Sequence, residues 1–267
     1  MTWTVAELVA RTATALDVPA RPTTVDGLDA GDPEAVVRGV AVTTLATLGV
    51  LERAVAVGAN VVVTHEPLFY DHLGAATAQL AHEGDPVHAA KAAFVREHGL
   101  AVWRMHDAWH DRRPDGIDVG TARALGWTLD PEAAARGVAW CDVRPTTVRE
   151  LARHVAAALG STQTRFAGDP HRTVRRVGLD LGFRGFARHR SLLRTAGVDA
   201  VVMGEAHEWE TASYAADLAH LDGTGLVVAG HVPSEQAGMS LFADWLHATV
   251  PEVPVTFLST PDLLVAA

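Results

Sequence analysis

The stretch Val61-Val62-Val63-Thr64-His65-Glu66-Pro67 carries the reading of the fold. Its run of valines predicts a short buried strand, and Pro67 stops that strand. In α/β proteins, ligands gather where strands end and loops begin. This strand ends in His65 and Glu66, two metal-capable side chains. Neighbouring strand residues point to opposite faces, so both can serve one site only where the backbone turns, as Pro67 suggests.

Outward from this stretch, helix and strand patterns alternate. In the first half, 1–16 reads as an amphipathic helix, 36–42 as a strand, 48–57 as a helix ended by Gly58, and 60–64 as the valine strand. A helix at 86–98 is capped by Asp85 and closed by Gly99. A strand at 100–105 and a helix at 118–125 follow. In the second half, strands are expected at 138–143, 162–166, 174–180, 200–203, 226–229 and 253–257. Helices are expected at 147–159, 186–196, 208–220 and 234–248, with a loop around Gly168, Asp169 and Pro170. This βαβ patterning predicts an α/β fold of two similar lobes with mainly parallel sheets. The lobes are expected at 1–129 and 138–267, with the junction at 130–137.

With 267 residues, 48% hydrophobic and 20% charged, the chain has the composition of an ordinary soluble globule of one large or two smaller domains. A net charge of −10 argues against a broad nucleic-acid footprint. The arginine clusters Arg172, Arg175, Arg176 and Arg184, Arg188, Arg190 read as solvated faces. Cys141 is the single cysteine, which excludes an intramolecular disulfide, and it reads as a buried, inert thiol. The opening segment lacks a signal-peptide pattern, and no apolar run reaches membrane-spanning length. A cytoplasmic protein is expected.

Metal-capable side chains recur at strand ends. His106 and His110 follow the strand at 100–105, and His231 and Glu235 follow the strand at 226–229. A weaker cluster, Glu205, His207, Glu208 and Glu210, follows the strand at 200–203. His231 is expected in the turn before a helix that carries Glu235 in its first turn, so that the two converge. His106 and His110 share a face if their stretch is helical and diverge if it is a loop. Nitrogen and carboxylate donors without thiolates suit zinc, manganese, iron, cobalt or nickel, and disfavour calcium and magnesium. Four to six such ligands exceed one tetrahedral site, so two ions are expected, with a carboxylate such as Glu235 bridging. The chain has no Gly-x-Ser-x-Gly elbow, Walker loop or dinucleotide fingerprint. Ser234 beside His231 and Glu235 does not read as a triad, and Gly182-Phe183-Arg184-Gly185 reads as a turn. Trp109 and Trp209 read as core packing.

These blocks resemble the NGG-interacting-factor-3-like family of dinuclear metal-centre proteins, also called GTP cyclohydrolase 1 type 2 homologues. The family's His-His-Pro appears as His65-Glu66-Pro67, its His-Thr-x-x-Asp as His106 to His110, and its Gly-His-x-x-x-Glu intact as Gly230-His231 to Glu235. The resemblance assigns His65, His231 and Glu235 as metal ligands. Glu66 stands in place of a histidine and His110 in place of an aspartate, while His106 matches a family histidine. Glu205 matches the acidic residue of a Gly-Glu or Gly-Asp pair, a candidate base or a residue orienting a ligand histidine. The resemblance also implies lobes facing a central metal-binding cleft and a homohexamer. Two functions follow as expectations. One is a metal-dependent hydrolase using metal-activated water on a small phosphorylated or cyclic-amide substrate. The other is a non-catalytic metal-binding or assembly scaffold.

Overall fold

A computed structural model of the chain describes residues 2–221 and 223–265, so the first residue of the expected opening helix, Met1, lies outside it. The chain forms two compact units, Met1–Arg112 with Met239–Thr260, and Arg113–Gly238 with Pro261–Ala267.

The first unit runs α1 (Val5–Leu16), β1 (Gly27–Ala30), β2 (Val40–Thr43), α2 (Leu48–Ala56), β3 (Val61–Thr64), α3 (Ala75–Glu83), α4 (Pro86–Glu97), β4 (Ala101–Arg104) and α5 (Asp107–Asp111). The second runs α6 (Gly116–Ala124), α7 (Pro131–Ala135), β5 (Ala139–Thr147), α8 (Val148–Leu159), β6 (Arg165–Ala167), β7 (Thr173–Asp180), α9 (Phe186–Leu193) and β8 (Ala200–Met203). A π-helical turn, Glu208–Ala212, leads into α10 (Ser213–Leu221), followed by β9 (Gly225–Val228). Helix α11 (His231–Thr249) starts in the second unit and ends in the first, to which β10 (Val255–Phe257) also belongs.

Each unit is built on a five-stranded sheet, ordered β1-β4-β3-β2-β10 in the first and β5-β7-β8-β9-β6 in the second. The central pairs β2–β3, β3–β4, β7–β8 and β8–β9 are parallel, and antiparallel pairing is confined to edge strands. The continuous Val and Ala runs explain this arrangement, since every residue of β2, β3, β4 and β8 is buried. Helices cover the sheets and close two cores. Leu51, Val62, Leu100 and Val102 lie in the first, and Leu193, Val201, Met203 and Leu226 in the second. Local signals set the helix starts. Thr4 with Glu7 and Thr147 with Glu150 form capping boxes, while Asp85 caps α4 by accepting the N–H groups of Val87 and His88 behind Pro86.

The structure departs from the expected boundaries in instructive places. The chain divides at Arg112/Arg113 rather than at 130–137. Helix α6 belongs to the second unit because Gly120 crosses the start of α11 at backbone contact distance. A Cβ on Gly120 would lie 2.5 Å from the Gly238 Cα and the Ala237 oxygen. The final strand returns to the first sheet, where Val255 pairs with Val40. Helix α11 begins at His231 instead of 234, since a proline in the first helical turn forfeits no hydrogen bond. Strand β1 and helices α3 and α7 lacked a clear periodic signal in the sequence.

Lys91, the chain's single lysine, is buried on α4 and donates to the Leu68 carbonyl at 2.5 Å. Asp29 accepts the Leu68 N–H at 3.0 Å, so both backbone polar groups of this residue are held by side chains just beyond Glu66. Burial pushes the Lys91 ammonium down to about 8, with Asp29 opposing. The native state therefore binds this proton less tightly than the unfolded chain. The associated stability is fully present above 10.5 and is lost as pH falls through about 8. Relative to Lys91→Met, the wild-type protein should gain on the order of 3 kcal/mol between those pH values, read from urea unfolding at each pH. Parallel pH profiles for the two proteins would contradict this account of Lys91.

Candidate metal centre

Parallel register assembles the sites. Thr64 of β3 pairs with Arg104 of β4, so His65 and His106 leave the first sheet at the same edge. Asp26 then fixes the second of these. Its carboxylate accepts the N–H groups of His106, Asp107 and Ala108 at 2.6, 2.7 and 2.8 Å, at the start of α5. Because α5 is helical, the His110 N–H reaches the His106 carbonyl at 3.2 Å and the two imidazoles share a face. The His65 ring lies 4.5 Å from that of His106 and 5.0 Å from that of His110. One nitrogen from each of His65, His106 and His110 falls within 4.8 Å of the others, a set that could hold a metal ion. Glu66 completes the group, with Oε1 3.9 Å from His106 Nε2 and Oε2 3.7 Å from the Arg104 guanidinium.

In the second unit, Asp180, Met203 and Val228 end β7, β8 and β9 in register. The turns that follow bring Gly182, Glu205 and His231 to one edge. His231 Nε2 lies 3.2 Å from Glu235 Oε2, one helical turn away on α11. Glu205 Oε1 lies 3.1 Å from His231 Nδ1, which puts Glu205 in an orienting position. Thus His65, Glu66, His106 and His110 meet in the first unit, and Glu205, His231 and Glu235 meet in the second.

The hydrogen bonds fix the imidazole tautomers. His65 Nδ1 lies 3.1 Å from the Met105 carbonyl, which can only accept, so Nδ1 carries the proton. His106 Nδ1 lies 3.0 Å from Asp107 Oδ1 and His231 Nδ1 faces Glu205. In all three, Nδ1–H faces an oxygen and Nε2 is the nitrogen turned the other way, the pattern of metal-binding histidines. Burial pushes the His106 imidazolium down to about 3, helped by His65 and His110 and opposed by Glu66 and Asp107. His106 is therefore neutral near pH 7, as a ligand must be. Burial raises the Asp107 carboxyl, but hydrogen bonds from His106, Val25 and Thr24 and the charge of Arg21 outweigh it, leaving it at about 2.

Several residues acquire roles that sequence patterns did not signal. Asp26, Asp107 and Arg104 hold ligand residues or their backbone, and only Asp26, just before Gly27, stands at a visible turn. Gly182, expected as part of a simple turn, has φ +66°, and any Cβ there would collide with the Glu235 carboxylate. Ser234 is fully buried, donates to the His231 carbonyl at 2.7 Å and accepts the Gly182 N–H at 3.0 Å, so its hydroxyl serves the turn. Arg188 and Arg190 are exposed as expected, although Arg188 also reaches the buried Asp180 at 2.8 Å, whereas Arg184 is partly buried and pairs with Asp115 at 3.2 Å. Trp109 packs against Phe242 as expected, but Trp209 is 78% exposed because the π-helical turn carries it outward. The Cys141 thiol is buried and pushed up to about 12, chiefly by burial and by Asp118, which agrees with an inert role.

The collision at Gly182 gives a direct test. Gly182→Ala should displace Glu235 and weaken zinc binding at least about tenfold in competition with a chromogenic chelator. Circular dichroism should show the same helix content. Unchanged zinc affinity would remove Glu235 from the ligand set.

The sequence model of the Duf34/NIF3 (NGG1p interacting factor 3) family matches residues 18–262. A "GTP cyclohydrolase 1 type 2 homolog" of Streptomyces coelicolor is 30% identical over 171 residues, covering 58% of this chain and 55% of that protein. A protein of the same name from Chlamydia pneumoniae is 24% identical over 89% of this chain and 90% of its own length. Among solved structures, a Bacillus cereus protein related to NIF3 superposes with a TM-score of 0.77 at 14% identity, covering 100% of this chain and 99% of that one.

Proposed function

The chain belongs to the Duf34/NIF3 (NGG1p interacting factor 3) family, and on that premise we propose that it is a metal-dependent hydrolase acting on a small phosphorylated or cyclic-amide substrate. Its ligands are His65, Glu66, His106, His110, His231 and Glu235, holding two divalent transition-metal ions. The observation that carries this reading is the shared orientation of His65, His106 and His231, each giving Nδ1–H to an oxygen. The relatives' printed name, a cyclohydrolase homolog, supports ring-opening hydrolysis as one branch.

A bound divalent ion supplies positive charge that polarises a carbonyl or phosphoryl oxygen and makes water more acidic. The chain's own residues do the rest. The Met105 carbonyl and Asp107 orient His65 and His106, and Arg104 holds one oxygen of Glu66 so that the other faces His106. Glu205 accepts a hydrogen bond from His231 Nδ1–H, which orients the ring, and, being half exposed, is the candidate base. The reading includes a homohexamer, as the family resemblance implies, and a cytoplasmic location, as the sequence leads one to expect. No described helix is long and apolar enough to cross a membrane.

A second reading, a non-catalytic metal-binding or assembly scaffold, is favoured by one fact. Glu205 is committed to His231, so a general base would have to give up that contact. Elemental analysis of protein purified without chelator should find about two transition-metal ions per chain. His231→Ala with Glu235→Ala should remove bound metal while the protein stays folded, and an unchanged metal count would end the ligand assignment. Metal-replete protein that turns over neither phosphoesters nor cyclic amides would leave the scaffold reading.

A further inference from the structure

The net charge of −10 conceals a segregation of sign. Residues 136–194, all in the second unit, hold twelve of the chain's 22 cationic side chains, every one an arginine, but only four of its 32 carboxylates. Four of these arginines, Arg144, Arg149, Arg172 and Arg175, are exposed, and the backbone sets them side by side. Thr147 pairs with Thr173 and Thr146 with Val174, and the irregular step between Asp142 and Thr146 places Arg144 next to this register. The N–H groups of Val148 and Arg149 reach the carbonyls of Arg172 and Pro170 at 3.1 and 3.2 Å. The four arginines therefore gather around the start of β7. The eight residues of β7, roughly 23 Å of strand, separate that start from the end that leads to Gly182 and the candidate ligands.

The carboxylates nearby are occupied by other donors. Asp142 takes the Arg176 guanidinium at 2.7 and 3.0 Å. Glu150 takes the N–H and hydroxyl of Thr147, both at 3.0 Å. Asp199 takes the N–H groups of Arg175 and Arg176 at 2.7 and 3.0 Å, and Asp169 that of His171 at 2.9 Å. The ion pairs of this segment fall to Arg136, Arg165, Arg176, Arg184 and Arg188. Among the described residues, the guanidiniums of Arg144, Arg149, Arg172 and Arg175 pair with no carboxylate. At about 0.1 M salt a charge is screened within about 10 Å, so an anion at this edge responds to these guanidiniums rather than to the net charge. A guanidinium fork matches a phosphate bidentately. Exposed arginine–carboxylate pairs contribute little one by one, whereas a duplex releases condensed counterions for each phosphate neutralised. Single strands are held largely by stacking on aromatic rings. The exposed rings of this unit lie elsewhere, Phe166 on β6 at the other side of the sheet and Phe183 and Trp209 beyond the far ends of β7 and β8.

We propose that this edge of the second unit binds the phosphate backbone of duplex DNA without reading its sequence. The proposal is independent of the metal chemistry. Fluorescence anisotropy with a short mixed-sequence duplex, between about 50 and 200 mM salt, should give log affinity falling against log salt with a slope of about −4, one contact for each arginine. Arg149→Gln with Arg172→Gln and Arg175→Gln should weaken binding at least about tenfold and flatten the slope to about −1. Arg38→Gln with Arg53→Gln and Arg96→Gln removes the same charge from exposed sites of the first unit and should leave affinity and slope unchanged. If circular dichroism shows the first triple variant misfolded, Arg144→Gln with Arg175→Gln replaces it and should flatten the slope by about two. The proposal is overturned by no duplex binding at about 50 mM salt, by equal losses in the two triple variants, or by an unchanged slope in the first. Tighter binding of oligothymidylate or of phosphatidylserine vesicles than of the duplex overturns it too. So does a changed oligomeric state of the first variant in light scattering, which would make this edge a contact between copies of the chain.

Discussion

Parallel pairing in register is the constraint on which the candidate site depends. Parallel strands place their carboxyl ends at one edge of a sheet. Thr64 opposite Arg104 brings the turns after β3 and β4 together, and Asp180, Met203 and Val228 do the same for the second sheet. Every candidate ligand stands within a few residues of such an end. A slip of one residue would turn these strands over and send the turns elsewhere. The valine-rich strands resist that slip because both faces are buried.

What turns converging loops into a chemical site is the handling of buried polarity. Imidazoles and carboxylates are costly to bury unless each polar atom has a partner. The first unit meets that cost with oxygens on the Nδ1 side of His65 and His106 and with Arg104 against Glu66. The second meets it with Glu205 on His231 and with Gly182, whose missing side chain makes room for Glu235. Arg104 is the neighbour that gives the Glu66 carboxylate a counter-charge.

Much of this architecture is local and therefore legible in the chain itself. Valine runs, capping residues and turn glycines act over a few positions. They account for the α/β class, the central strands and the helices at Pro86–Glu97 and Val148–Leu159. The strand-end clusters and the intact Gly230-His231 to Glu235 block made the candidate ligands visible, because ligand types stand where strands must stop. Only the tertiary structure decided the rest. Asp26 and Arg21 lie some eighty to ninety residues from the groups they hold. The return of β10 to β2, the early start of α11, the exposure of Trp209 and the pairing of Arg184 with Asp115 leave no periodic trace either. The physical reason is common to all of them. Periodicity and caps report how a segment folds on itself, whereas these features depend on which distant charge, backbone or void the finished fold sets beside it.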